Sequence, residues 1–155
     1  MKISEDKISF VTANFVGRAL NYGLKPFNWG KADEATQHLF YGDTFEEEFS
    51  EIMRIISDAG FKVIELWTAH LSYNRATQKR IQKAKQILAR YKLSVCSYAG
   101  GFGNAEEEVK KSFPLAQTMG AKVMAGGLNE KLLDKAYLLC QEHKIRLAFE
   151  NHPSR

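Results

Sequence analysis

Hydrophobic positions along this chain change period repeatedly, and the changes mark strands and helices in alternation. Residues 8–14 (Ile-Ser-Phe-Val-Thr-Ala-Asn) form a short apolar run rich in β-branched side chains and predict a first strand. Residues 15–43 keep no period. Glycines 17, 23, 30 and 42 and Pro26 interrupt them, with Phe15, Tyr22, Phe27, Trp29, Phe40 and Tyr41 scattered between. A structureless connection of that length is uncommon in a compact domain, and this one is too aromatic for a simple linker. It is expected to be an irregular loop, either a lid over a site or a loop packed on the core by its aromatics.

The next stretch has a clear period. Phe45, Phe49, Ile52, Met53 and Ile56 recur at helical spacing on one stripe. Thr44 with Glu47 fits a capping box, and residues 46–48, all Glu, put negative charge at the favourable end of the helix dipole. Gly60 is a fitting stop. Residues 63–70 predict a second strand. Ile81, Ala84, Ile87, Leu88 and Tyr91 form the stripe of another helix, and residues 93–98 a third strand. Asn104 is expected to cap a helix with Glu107 at its third position. Val109, Ala116 and Met119 face inward in that helix, and Pro114 either kinks it or divides it in two. Residues 122–125 predict a fourth strand. Asn129 caps a helix carrying Leu132, Leu133, Ala136, Leu139 and Cys140 inward.

The last ten residues are an apolar run ending in Glu150-Asn151-His152-Pro153. On a strand, alternate residues share a face, so Arg146, Ala148, Glu150 and His152 are expected on one side. A carboxylate and an imidazole at the end of a strand can bind a metal or move protons. By themselves the residues leave Glu150 open between that role and a structural pair with Arg146.

Strand–helix units repeated in this order predict an α/β fold with a parallel sheet and right-handed crossovers. The choice lies between a doubly wound sheet and part of an eight-stranded barrel. No GxGxxG follows the first strand, and no GxxxxGK[ST] loop is present, so nucleotide binding lacks support. Glu65, Arg146 and Glu150 sit among apolar strand residues, which favours the barrel, where ionisable side chains pair across interior layers. Glu65 is expected in such an ion pair. The expectation is a partial TIM barrel of about five strands and four main helices, one domain over residues 1–155. Active sites of such folds lie at the carboxyl ends of the strands. Here those ends carry Asn14, residues 67–70, 98–101 and 126–127, and residues 150–152.

Composition narrows the rest. With 155 residues, 45% of them hydrophobic and 26% charged, the chain is of ordinary globular make-up for one domain. No apolar run nears the roughly 20 residues of a membrane span, and the first residues lack signal-peptide architecture. Two cysteines without CxxC spacing suit reduced thiols in a cytoplasmic protein. The net charge of +4 has a local source. Seven basic residues and no acidic one lie between Arg75 and Lys92. They are read as a solvated outer helix face in preference to a phosphate-contacting one.

Four motifs in order resemble one family. They are residues 61–71 (Phe-Lys-Val-Ile-Glu-Leu-Trp-Thr-Ala-His-Leu), residues 97–103 (Ser-Tyr-Ala-Gly-Gly-Phe-Gly), residues 119–123 (Met-Gly-Ala-Lys-Val) and residues 149–153 (Phe-Glu-Asn-His-Pro). Together they resemble the sugar phosphate isomerase/epimerase family, with its xylose-isomerase-like TIM barrel. The resemblance implies a barrel of eight units, of which this chain carries five and is truncated after the fifth strand. It implies a divalent metal (Mn, Mg, Co or Zn) in the complete protein, with Glu150 the first ligand and the others on the missing strands. The implied chemistry is proton transfer next to a carbonyl of a sugar or sugar phosphate. Glu150 would be ligand and base, His152 would touch a substrate hydroxyl, and His70, Trp67 and Asn14 would line the pocket. The alternatives are an apurinic-site endonuclease, which shares the barrel and could use the basic helix on a phosphate backbone, and a non-catalytic fragment. Unpaired edges on the first and fifth strands are expected to drive assembly into a homo-oligomer.

Overall fold

A computed structural model describes residues 8–150. Its five strands are β1 (Ser9–Val11), β2 (Val63–Trp67), β3 (Ser94–Gly101), β4 (Val123–Gly127) and β5 (Arg146–Phe149). They form one parallel sheet in the order β1-β2-β3-β4-β5. The α-helices are α1 (Trp29–Tyr41), α2 (Phe45–Asp58), α3 (Gln78–Arg90), α4 (Glu106–Thr118) and α5 (Leu133–His143). Helices α2 to α5 run between successive strands, as parallel pairing requires.

Strand order and packing side separate the two candidate architectures. A doubly wound sheet reverses its strand order and carries helices on both faces. Here the order is sequential. Ile64, Leu66, Tyr98 and Met124 point from one face into a single cluster with Phe49, Ile52, Ile56, Ile87, Phe113 and Leu139 of the helices. The fold is therefore an α/β, partial barrel-like sheet with its core between strands and helices. Residues of alternate parity occupy the other face. Val11, Glu65, Ser97, Val123 and Arg146 follow one another across it, strand by strand.

The pairing of β2 with β3 skips one residue, Cys96, between Val95 and Ser97. The bulge keeps Ile64 and Leu66 beside Val95 and Tyr98 on the core face, and aligns Ser97 with Glu65 on the other. Tyr98 is fully buried, and its hydroxyl donates to the Leu71 carbonyl oxygen at 2.6 Å. That contact pins the loop after β2 onto the sheet.

Several sequence-based expectations need correction. Residues 15–43 are not one irregular loop. A 3-10 turn at Thr12–Phe15 leads into them, and they hold a second at Arg18–Leu20 and then the 13-residue helix α1. The inward stripe of α1 is Ala32, Thr36 and Phe40, only one of them large and apolar, so its period is faint. Its cap was legible: Asn28 Oδ1 accepts from the Lys31 N–H at 2.9 Å. The Thr44–Glu47 capping box does not form, because the Thr44 hydroxyl donates to the Leu39 carbonyl instead, at 3.1 Å. The cap of α4 falls one residue later than expected. Glu108, not Glu107, turns back and accepts from the N–H groups of Asn104 (2.8 Å) and Ala105 (3.3 Å). These bonds, that of Asn104 first, hold its carboxyl below the usual carboxylate range. Pro114 lies inside one continuous helix. Glu65 has no ion pair among the described residues. The Ser97 hydroxyl donates to it at 2.6 Å and that of Ser9 at 3.3 Å. Two hydroxyls thus satisfy a part-buried carboxylate that the sequence suggested would need a cation.

Candidate active site

A cavity of about 570 Å³ opens at the carboxyl ends of the strands. Four elements supply the side chains that define it. Val11 closes β1, Trp67 closes β2, Glu150 follows β5, and Trp29 begins α1. Between them the floor is glycine backbone from Gly100-Gly101 of β3 and Gly126-Gly127 of β4. Bare backbone is required at two of these positions. Gly100 and Gly126 have φ of +132° and +146°, and a Cβ on Gly126 would overlap the Gly100 carbonyl oxygen. The Glu150 N–H donates to the Gly126 carbonyl at 3.2 Å, which extends the β4–β5 ladder and carries the carboxylate to the rim.

The two tryptophans meet at one corner. Trp29 stands edge-on to Trp67, with centroids 6.3 Å apart at 83°. Phe27 backs Trp29 at 5.2 Å and 87°. Trp67 is buried, whereas Trp29 is 51% exposed.

His70 lies behind this wall and does not line the cavity. It is fully buried, 5.2 Å from the Trp67 ring and 4.6 Å from that of Phe40. Its Nδ1 lies 3.0 Å from the Thr12 hydroxyl oxygen, which also accepts the Trp67 N–H at 2.8 Å. Its Nε2 is buried with no hydrogen-bond partner among the described residues. Burial, assisted by the positive charge of Arg18, brings its pKa down to about 3, so the ring is neutral at ordinary pH.

Of the expected site residues, the structure therefore brings Trp67 and Glu150 to one cavity. Asn14 is placed in the 3-10 turn after β1, on a separate cavity of about 210 Å³ that it shares with Tyr22 and Phe27. His152 lies outside the described residues. Sequence reasoning passed over Trp29 and Thr12. The pair Asn28-Trp29, a capping residue followed by an exposed aromatic, was the available sign of the first. Nothing in the sequence marked the second.

The basic helix has partners of its own. Arg80 donates to the Tyr41 carbonyl, and its guanidinium stacks over Phe45 at 5.1 Å. Lys83 pairs with Glu46 at 3.1 Å. Both residues tie α3 to the start of α2.

A metal centre needs about three protein ligands. Among the described residues no three His, Cys, Asp or Glu side chains gather in that way. Glu150 is a single carboxylate, so the described residues do not by themselves fit a catalytic metal. Among them, no helix is long and apolar enough to cross a membrane.

No protein-family model matches this chain, and no curated protein matches it. Solved structures do. One is an uncharacterized protein from Parabacteroides distasonis ATCC 8503, at a TM-score of 0.59 and 18% identity, over 76% of this chain and 51% of that one. Another is a xylose isomerase domain-containing protein from Salmonella typhimurium LT2, at a TM-score of 0.54 and 16% identity, over 100% of this chain and 53% of that one. At such identities the likeness is one of fold, and it agrees with a barrel-like parallel sheet. The chain spans about half the length of the structures it matches.

Proposed function

We propose that this chain forms the amino-terminal part of a sugar or sugar phosphate isomerase or epimerase, acting by proton transfer next to a carbonyl. The observation that carries the reading is the placing of the Glu150 carboxylate at the carboxyl rim of a parallel sheet, on a cavity walled by Trp67. A resemblance in fold to a xylose isomerase domain-containing protein supports it. In the proposed step Glu150 takes the proton from the carbon beside the substrate carbonyl. The C–H electron pair becomes the C=C bond of an enediol, and the carbonyl oxygen gains the negative charge or a proton. Returning the proton to the neighbouring carbon, while the proton of the neighbouring hydroxyl passes to the former carbonyl oxygen, moves the carbonyl by one position, with no external oxidant or reductant. One carboxylate suffices for isomerisation along a single face of the sugar, whereas epimerisation would need a second proton donor on the opposite face. In the metal-dependent form of this proposal, a divalent metal would need further ligands from outside the described residues. His152 is proposed as a contact to a substrate hydroxyl.

The test is exchange of substrate carbon-bound hydrogen with D2O, followed by NMR over a panel of ketoses and aldoses, with and without Mn, Mg, Co or Zn ions. Exchange that disappears in Glu150→Gln supports the assignment. Exchange that persists in that variant, or is absent from the wild type on every sugar, removes it.

A further inference from the structure

Both tryptophans of the chain, the only two it has, stand on the same cavity. Trp67 is fixed. Its backbone N–H is held by Thr12, and its ring is packed against His70. Trp29 is different. It heads α1, is held at one edge by Phe27 and at another by Trp67, and keeps 51% of its surface open. A large exposed aromatic beside a cavity, near-perpendicular to a second indole, makes a corner rather than a flat wall. The remaining boundary includes glycine backbone and the Glu150 carboxylate. The corner offers π-faces to C–H groups, and the boundary offers acceptors to hydroxyls.

We propose that Trp29 is a specificity-determining residue: it receives the C–H face of a sugar whose hydroxyls turn toward Glu150 and the glycine rim. The assignment rests on the sugar reading of the preceding section and adds a residue and a binding mode to it. A polyol with adjacent C–H groups on one side and hydroxyls on the other matches both boundaries at once. A planar heteroaromatic would match the indoles and leave the carboxylate without a donor from its faces. Indole also carries an N–H that can donate to a ring or hydroxyl oxygen. Cavities of this size suit small ligands oriented by a few polar groups.

The cavity holds every tryptophan of the chain, so intrinsic emission reports on this site. The experiment titrates the chain with D-fructose and D-xylulose, and with adenine as the planar control, following tryptophan emission. Trp67 serves as the reporter in Trp29→Ala and Trp29→Phe. The expected result is a saturable change with a ketose and a weaker or absent one with adenine. Trp29→Ala should weaken ketose binding about tenfold or more, as loss of a central aromatic contact does, and Trp29→Phe should recover part of it. Thermal melts of both variants guard against misfolding. No saturable response to either ketose overturns the proposal, as does ketose binding unchanged in a folded Trp29→Ala, or adenine binding tighter than ketose. The two assignments fail separately. Ketose binding that depends on Trp29 without hydrogen exchange removes the role of Glu150 alone. Exchange that depends on Glu150 and is indifferent to Trp29→Ala removes the role of Trp29 alone.

Discussion

The hydroxyl oxygen of Thr12 and Nδ1 of His70 lie 3.0 Å apart, and both residues are fully buried. The same oxygen accepts the N–H of Trp67 at 2.8 Å. One hydroxyl on the first turn after β1 thus joins the end of β2 to the histidine behind it. Which of Nδ1 and the hydroxyl donates depends on the imidazole tautomer, and Nε2 has no partner among the described residues.

Replacing Thr12 by Val keeps the shape and removes the shared acceptor. The Trp67 N–H would then be buried and unsatisfied, at a loss of about 1–3 kcal/mol in unfolding free energy. Denaturant unfolding is the measurement. Thr12→Ser, which keeps the hydroxyl, should recover most of the loss. A Val variant as stable as the wild type would show that the hydroxyl carries no stability.

His70 makes the fold acid-sensitive. Its folded pKa, about 3, lies below the value of about 6.5 for an unfolded imidazole. The unfolded state therefore binds the proton first as pH falls. The contribution is fully present above about pH 6.5 and is lost progressively down to about pH 3, at roughly 1.4 kcal/mol per unit. At pH 5 the loss is about 2 kcal/mol. Carboxylates held below the usual range, such as Glu51, Glu106 and Glu108, titrate below the window from pH 5 to 6.5. Unfolding free energies of wild type and His70→Gln across that window are the check, and the variant should show the flatter profile. Equal slopes would mean that His70 titrates normally in the folded chain.

The strands and four of the helices were legible because their periods are strong. Phe45, Phe49, Ile52, Met53 and Ile56 leave little choice of face. Helix α1 was not, because Ala32 and Thr36 contribute little hydrophobic contrast and Gly30 resembles a breaker. It is held by its surroundings through Phe40 on His70, and within the helix Thr36 bonds back to the Ala32 carbonyl at 2.7 Å. The candidate site was legible at Trp67 and Glu150, which sit at strand ends where alternation and sheet polarity fix direction. It was not legible at Trp29, which reaches the cavity only through the path of a helix with a faint period. His70 was expected in the pocket because residues 63–70 read as one strand and the resemblance set its end on the site. The turn after Trp67, closed by the His70 N–H to the Trp67 carbonyl at 3.0 Å, carries it behind the wall instead.

The glycine rim gives a sharper contrast. Gly126 combines a left-handed φ with a backbone approach that a methyl would obstruct, whereas a Cβ on Gly101 would meet nothing within 4 Å. Gly126→Ala is expected to cost more than about 1 kcal/mol, and Gly101→Ala to be close to neutral. Thermal unfolding of the two variants side by side is the check. Equal melting temperatures would mean that β3 and β4 can part at this point without loss.

Strands β1 and β5 form the two edges of the described sheet. On β5 and on α5, the helix before it, Phe149 is 56%, Tyr137 63% and Leu138 57% exposed. Edges of this kind invite pairing with another chain, and exposed apolar groups strengthen the contact. We expect the chain to self-associate in a concentration-dependent way through this side. Because the driving force is apolar contact and backbone pairing, association should be largely insensitive to added salt. Sedimentation velocity across a dilution series is the measurement. Phe149→Lys, which places a charge on the edge strand, should shift the distribution toward monomer without lowering the melting temperature of the monomer. A wild-type chain that sediments as a stable monomer throughout the series would show that the edge and these exposed apolar groups are tolerated without a partner.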